Sequence, residues 1–295
     1  MRSPLGILDI GSNSVRFAIL DRGGDGAFFV PGGRKLTCTT RLGKGLDETG
    51  RLSAKAMADT VVACRRFCDR AAAEGAPVYA YATSAVRDAK NRQELLDDLA
   101  AACPEVKFFL LSGEEEGRLA YRGAMGDQAG TLLDIGGGSA QAVTPHWAVS
   151  FPTGCVRAQD LCPEDALERM RDVIYTWLSG RVTLPGSASA PFVGVGGTIT
   201  TLGALLLQQE RYDGSQLSTL RITPELLNAL LQRLSALGDE KRAQMPLLIR
   251  RHDVILQGGL ILSWFMENLS IKALTPTDRG GMEGFAGWLF EKEIV

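Results

Sequence analysis

The chain has 295 residues, 45% of them hydrophobic and 22% charged, with a formal net charge of −2; that length exceeds one ordinary core and predicts two domains, while the balance excludes a disordered or fibrous chain. A charge so near neutral excludes a globally basic nucleic-acid binder, so a polyanion site has to be a local cluster of Arg and Lys. Cys38, Cys64, Cys68, Cys103, Cys155 and Cys162 form no C-x-x-C pair and only His146 and His252 could join them, which predicts reduced thiols in a cytoplasmic protein and directs attention from histidine bases to carboxylates, arginines and backbone amides.

The chain opens on a short apolar strand, Leu5 to Leu8, that delivers Asp9 into the turn Gly11-Ser12-Asn13-Ser14 and then into a second apolar strand. Such a turn either joins two strands of a hairpin or aims backbone N–H groups at an anion. No apolar leader precedes it, and the longest apolar stretch, Val254 to Met266, is broken by Gln257 and two glycines, so neither secretion nor membrane spanning is expected. A hairpin-like region follows over Arg34 to Thr40, then an Ala-rich helix near Ser53 to Glu74, a strand at Val78 to Ala82, a helix near Asn91 to Ala102, a strand at Val106 to Leu111 and a helix from Gly113. In that last helix Ser112 is the N-cap and Glu115 the N3 residue of a capping box, and at about 100° per residue Glu114, Glu115 and Glu116 cannot share one face.

After a boundary near Gly123 to Gly130 the opening pattern returns: Thr131 to Leu133 lead into Asp134-Ile135-Gly136-Gly137-Gly138-Ser139, the counterpart of Asp9-Ile10-Gly11-Ser12-Asn13-Ser14. A repeat at about half the chain length indicates two related domains, 1–123 and 124–295, rather than a solenoid. Further on come a strand at Trp147 to Phe151, helices near Pro163 to Leu178, a loop at Pro185 to Pro191 and a strand at Phe192 to Val195. Helices near Gly197, Pro224 and His252, a short strand at Ile271 to Thr275 and a final helix from Arg279 complete the pattern, the last with the option of packing back on the N-terminal domain. A third glycine turn, Gly194-Val195-Gly196-Gly197-Thr198, opens the helix near Gly197. Glycine lets backbone approach a ligand, and a helix start adds N–H donors; none of the three turns is a G-x-G-x-x-G fingerprint or a Walker A loop.

The strings "DIGSNSVRF", "RLGKGL", "ATSAVRDAKN", "SGEEEGRLAY", "LLDIGGGSAQ", "TGCVRAQDL", "VGVGGTITTLGAL" and "RRHDVILQGGLIL…TDRGGMEG", taken in this order, resemble the exopolyphosphatase/guanosine pentaphosphate phosphatase (Ppx/GppA) family. The resemblance implies an α/β fold: two ribonuclease H-like domains of the actin, sugar kinase and Hsp70 ATPase superfamily facing a central cleft. It implies Mg²⁺-assisted hydrolysis of a terminal phosphoanhydride, from inorganic polyphosphate or guanosine pentaphosphate, with Glu116 as the base that activates water and Asp134 beside the metal, assisted by Asp9. Gly11, Ser12, Asn13, Ser14 and Gly136, Gly137, Gly138, Ser139 become two phosphate loops, joined by Gly196, Gly197 and Thr198, with Arg16, Arg41 and Arg87 as phosphate-binding cations. A homodimer is implied by analogy; Lys44 is as readily a surface charge.

The sequence also departs from the family pattern. The acid of D-I-G-G-G-S-x-E is Gln141 here, and G-L-R-E-G is replaced by Gly280-Gly281-Met282-Glu283-Gly284. A neutral amide attracts Mg²⁺ less than a carboxylate, which keeps open a weak or non-catalytic binder of polyphosphate or guanosine alarmone; a sugar or acetate kinase of the same superfamily is the other alternative. Longer relatives carry C-terminal helical domains, and without them action on short polyphosphates or a nucleotide is expected.

Overall fold

The computed structural model describes residues 4–33, 35–163 and 166–295. It divides into two compact units, Met1–Gly123 with Arg279–Val295, and Ala124–Asp278. Along the first run β1 (Leu5–Ile10), β2 (Ser14–Arg22), β3 (Phe28–Phe29) and β4 (Leu36–Thr39) are followed by α1 (Leu46–Thr49), α2 (Ala54–Ala73), β5 (Val78–Ala82), α3 (Ser84–Asp88), α4 (Arg92–Ala102), β6 (Lys107–Leu110) and α5 (Gly113–Met125). The sheet has the order β3-β2-β1-β5-β6, with β4 also paired to β2. β2 is antiparallel to β1, whereas β5 and β6 run parallel to β1, the ribonuclease H-like arrangement. Helices cover both faces, so β1 is buried at every position. One face packs Leu8, Ile10, Val15, Phe17 and Ala80 against the apolar stripe of α2, which Ser53 starts by accepting the Ala56 N–H at 3.2 Å.

The second unit contains β7 (Thr131–Ile135), β8 (Ala140–Val143), β9 (Ala148–Phe151), α6 (Cys155–Leu161), α7 (Leu167–Ser179), β10 (Phe192–Val195), α8 (Gly196–Leu206), α9 (Pro224–Leu237), α10 (Asp239–Ala243), α11 (Ile255–Asn268) and β11 (Thr275–Pro276). Its sheet runs β11-β10-β7-β8-β9, with β8 antiparallel to β7 and β10 parallel to it. α11 is the longest apolar stretch of the sequence. It is buried from Ile255 to Met266 because α6, α7, α8 and α9 surround it, which is why it is apolar all round. Among the described residues no helix is long and apolar enough to cross a membrane. The last helix, α12 (Gly281–Glu291), belongs to the first unit. There it covers the second face of the β1 sheet with Met282, Phe285 and Leu289 against Ile7, Leu20 and Tyr81. Gly123 and Gly284 allow the approach of α5 and α12, since a Cβ on either would overlap the other helix's backbone.

Several boundaries differ from the sequence reading. The strand expected at Ile271 to Thr275 shrinks to Thr275–Pro276. Its first residues close the end of α11, where the Ile271 N–H donates to Met266 O at 2.8 Å and Ser270 turns left-handed (φ 53°). The helix expected near His252 starts at Ile255. The preceding segment is held instead by buried Arg242, whose Nε donates to His252 O at 3.3 Å. The short helices α3, α6 and α10 escape periodicity because they span too few turns to repeat it. Arg34 and, in the helices expected from Pro163, Glu164 and Asp165 lie outside the described residues.

Candidate active site

In the first unit the opening turn is a tight β1–β2 connection in which the Gly11 N–H donates to Ser14 O at 3.1 Å. Its carbonyls are drawn backwards: Ser12 O accepts from Gly43 N, and Asn13 O from Thr40 N and Arg41 N. Ser12 Oγ receives the Ala85 N–H at the start of α3. Among the described residues the N–H groups of Ser12 and Asn13 take no backbone acceptor, and the buried Oδ1 of Asn13 accepts no hydrogen bond. The turn is therefore polar and outward-donating, the pattern that suits an anion. Arg41 lies beside it in a left-handed conformation (φ 52°), while Lys44 is exposed.

Asp9 and Arg16 are cross-strand partners. Asp9 is 3% exposed, and its Oδ2 accepts from Arg16 Nε at 2.9 Å and also from Nη2. Arg16, its side chain 36% exposed, thus has its fork fixed on a buried carboxylate. At the start of α5, Ser112 and Glu115 make the reciprocal capping box, Ser112 N to Glu115 Oε2 at 2.8 Å and Glu115 N to Ser112 Oγ at 3.2 Å. Glu116 points elsewhere. Its Oε2 lies 3.6 Å from Arg87 Nη1, with side-chain exposures of 18% and 24%. Arg87, in the last turn of α3, is itself anchored by donating to Leu111 O at 2.9 Å.

The second unit rebuilds the same device. Gly136 N donates to Ser139 O at 3.0 Å, and Asp134 pairs across the strands with Gln141 as Asp9 does with Arg16. Here α6 draws the loop carbonyls back: Cys155 N donates to Gly136 O, Val156 N to Gly137 O, and Arg157 Nε to Gly138 O at 2.7 Å. Burial pushes the Arg157 guanidinium below its ordinary pKa. The N–H groups of Gly137 and Gly138 take no backbone acceptor among the described residues. Gly196 (φ +87°) opens α8 directly against Asp134, where a Cβ would collide with Oδ1. Thr198 is buried in the first turn of α8, whose N–H groups lack intrahelical partners.

The model of the Ppx/GppA phosphatase family matches residues 33–291. The chain belongs to that family. It is 31% identical to exopolyphosphatase 2 of Mycobacterium tuberculosis over 95% of this chain and 96% of that protein. Exopolyphosphatase 1 of Mycobacterium bovis is 30% identical, with 92% and 83% covered. Among solved structures, a Ppx/GppA enzyme of Aquifex aeolicus is 27% identical with a TM-score of 0.76, covering 98% of this chain and all of that one. An exopolyphosphatase of Cytophaga hutchinsonii shares the fold at 22% identity and a TM-score of 0.84, with 99% and 98% covered.

Within this Ppx/GppA chain the first unit gathers Asp9, Gly11 to Ser14, Arg16, Arg41, Arg87 and Glu116; the second gathers Asp134, Gly136 to Ser139, Gln141 and Gly196 to Thr198. Mg²⁺ is commonly held by one or two carboxylates plus substrate oxygens, and among the described residues no group of three His, Cys, Asp or Glu assembles. The donor set of the second unit fits that requirement. Gln141 Nε2 donates to Ser139 Oγ at 2.9 Å and Ser150 Oγ at 3.2 Å, which leaves its buried Oε1 without a donor on the same face as Asp134. Two neighbours went unread in the sequence. Arg251 lies against Gly197, where a Cβ would meet its guanidinium; the charged run Arg250 to Asp253 before an apolar helix was its signal. Tyr81, the partner of Asp9 on β5, had none beyond strand propensity.

Proposed function

We propose that this protein hydrolyses a terminal phosphoanhydride of inorganic polyphosphate or guanosine pentaphosphate, with Glu116 as the general base. The observation that carries the reading is the division of labour on α5: Glu115 is spent on the cap, while Glu116 stands half-enclosed beside Arg87. The exopolyphosphatase names of the relatives support it. In the reaction, water forms a bond to the terminal phosphorus as the bridging P–O bond breaks. Its proton passes to Glu116, and the freed phosphate oxygen keeps the electron pair. Arg87 orients the Glu116 carboxylate and, with Arg16 and Arg41, balances the negative charge of the phosphates, as planar guanidinium forks do. In the first unit the N–H groups of Ser12 and Asn13 are the donors offered to phosphate oxygens, and in the second unit those of Gly137 and Gly138. In the second unit Asp134 and Gln141 Oε1 would hold Mg²⁺, which when bound would neutralise charge on phosphate oxygens; in the first unit Asp9 is engaged by Arg16. Phosphate release from polyphosphate and from guanosine pentaphosphate, with and without Mg²⁺, tests this reading. Arg87→Ala is expected to lower turnover, with Arg87→Lys a partial rescue, and unchanged kinetics would remove Arg87 from the site.

The neutral Gln141 favours one second reading, a member that binds polyphosphate or guanosine alarmone with little turnover. Tight binding without phosphate release in the same assay would select it.

A further inference from the structure

Arg16, Asp9 and Tyr81 occupy one row of the first unit's sheet. Asp9 is the register partner of Arg16 on β2 and of Tyr81 on β5, so the three side chains leave the same face of three adjacent strands. On one side of this row the face is apolar, filled by Leu5, Ile7, Ala18 and Leu20 under Phe285, while on the turn side of the row and on β4 it carries the hydroxyls of Ser14, Thr37 and Thr39. Tyr81 is 3% exposed, and its ring packs on Phe285 at 4.8 Å between centroids, which fixes where the hydroxyl goes. Burial first, and then the neighbouring Asp9 carboxylate, push the hydroxyl's pKa well up, against the lowering effect of Arg16. A buried phenol needs a hydrogen-bond partner, and Asp9 is beside it. Room for the hydroxyl comes from α12, because a Cβ on Gly281 would stand 2.8 Å from the Tyr81 oxygen. Gly281 has no left-handed backbone requirement, so its backbone conformation does not by itself call for glycine. Space for the hydroxyl accounts for glycine there.

We infer that Tyr81 is a positioning residue of the phosphate site: its hydroxyl, admitted by Gly281, holds the Asp9 carboxylate from the side opposite Arg16 and thereby fixes the guanidinium that meets the substrate's phosphates. This rests on the phosphoanhydride reading for its ligand, but not on turnover. Without the hydroxyl, Asp9 turns more freely and Arg16 follows it, so binding suffers before chemistry does.

The test is a double-mutant cycle of Tyr81→Phe and Gly281→Ala, read by tripolyphosphate affinity in calorimetry, by KM and kcat on polyphosphate, and by thermal unfolding. Tyr81→Phe keeps the ring and is expected to weaken tripolyphosphate binding and raise KM by roughly 10-fold, the scale of one hydrogen bond to a charged group, with kcat within about twofold. Gly281→Ala alone is expected to reproduce this by pressing on the hydroxyl. In the Tyr81→Phe background it should add nothing, because the atom it would meet is gone. Wild-type affinity for Tyr81→Phe, additive losses in the double variant, or losses that follow only the unfolding temperature overturn the inference. If the wild type binds tripolyphosphate, cleaves no phosphoanhydride and still shows the coupling, the functional reading falls and the inference stands. If the wild type hydrolyses polyphosphate but shows no coupling, the reverse holds. A wild type that neither binds nor cleaves removes both.

Discussion

Glu115 and Glu116 are chain neighbours whose side chains serve separate ends. Glu115 returns to its own helix start and Glu116 faces Arg87. Glu116→Gln is expected to cut turnover by roughly 10²- to 10⁴-fold, the range of a general base, with little change in KM or unfolding temperature. Glu115→Ala should instead keep turnover and cost stability by about 0.5–1 kcal/mol, the low end of a capping loss; equal losses of turnover in both would refute the division. At Gln141 the amide donates to two hydroxyls, Ser139 and Ser150, and both hydroxyls can rotate to donate to a carboxylate instead. Gln141→Glu is therefore expected to fold normally and to lower the Mg²⁺ concentration giving half-maximal activity. A metal titration unchanged or shifted upward would mean that the metal is held elsewhere.

At the scale of elements, the two aspartate-led turns are alike because each is a β–turn–β unit whose carbonyls a later segment draws back, Thr40 to Gly43 in one unit and α6 in the other. The second clamp is the tighter. Gly154 precedes α6 so closely under Gly137 that a Cβ would overlap its backbone, and backbone cannot yield as a side-chain end does. Gly154→Ala is expected to cost about 1–3 kcal/mol of stability, as overpacking does, and to depress activity by displacing the loop. Gly180→Ala, where a Cβ would meet ordinary contacts no nearer than 3.7 Å, serves as the control and should do neither. If the Gly154 variant matches that control in melting temperature and turnover, the loop is not held by this contact.

For the whole molecule, each unit has its own core, and the first unit's core carries thiols. Cys64, Cys68 and Cys103 are buried, whereas Cys38 is partly exposed. Burial and then the neighbouring Cys103 push Cys68 up to about 12 from 9.0, and burial raises Cys64 and Cys103 as well. A thiol raised in the folded state contributes its full stability below the unfolded value. Above pH 9 the unfolded chain ionises first, so that contribution falls as pH rises toward the folded pKa. Unfolding free energy is thus expected to decline above pH 9 by up to about 1.4 kcal/mol per pH unit for each such thiol. Denaturant titrations between pH 8 and 11 check this, and Cys68→Ala should lessen the slope. A flat profile across that range would contradict the burial of these thiols.

The sequence alone determined what depends on neighbours along the chain. Alternation and apolar runs marked β5 and β10 to the residue, spacing marked the stripe of α2, and the S-x-x-E pattern marked the capping box, since each is a local steric or hydrogen-bond requirement repeated over a few residues. The duplicated aspartate turns were legible for the same reason. The tertiary structure decided what depends on meetings across the chain. α12 returns to the first unit because Gly123 and Gly284 let two backbones touch, and no periodicity in either helix records its partner. Arg87 found Glu116 only when α3 and α5 met beyond parallel strands. Tyr81 reads as an ordinary strand aromatic until the register of β1 and β5 sets it beside Asp9 and α12 offers the space at Gly281. Strand register and close packing are sums over distant side chains, so they are settled by which folded surfaces fit, not by any short stretch of sequence.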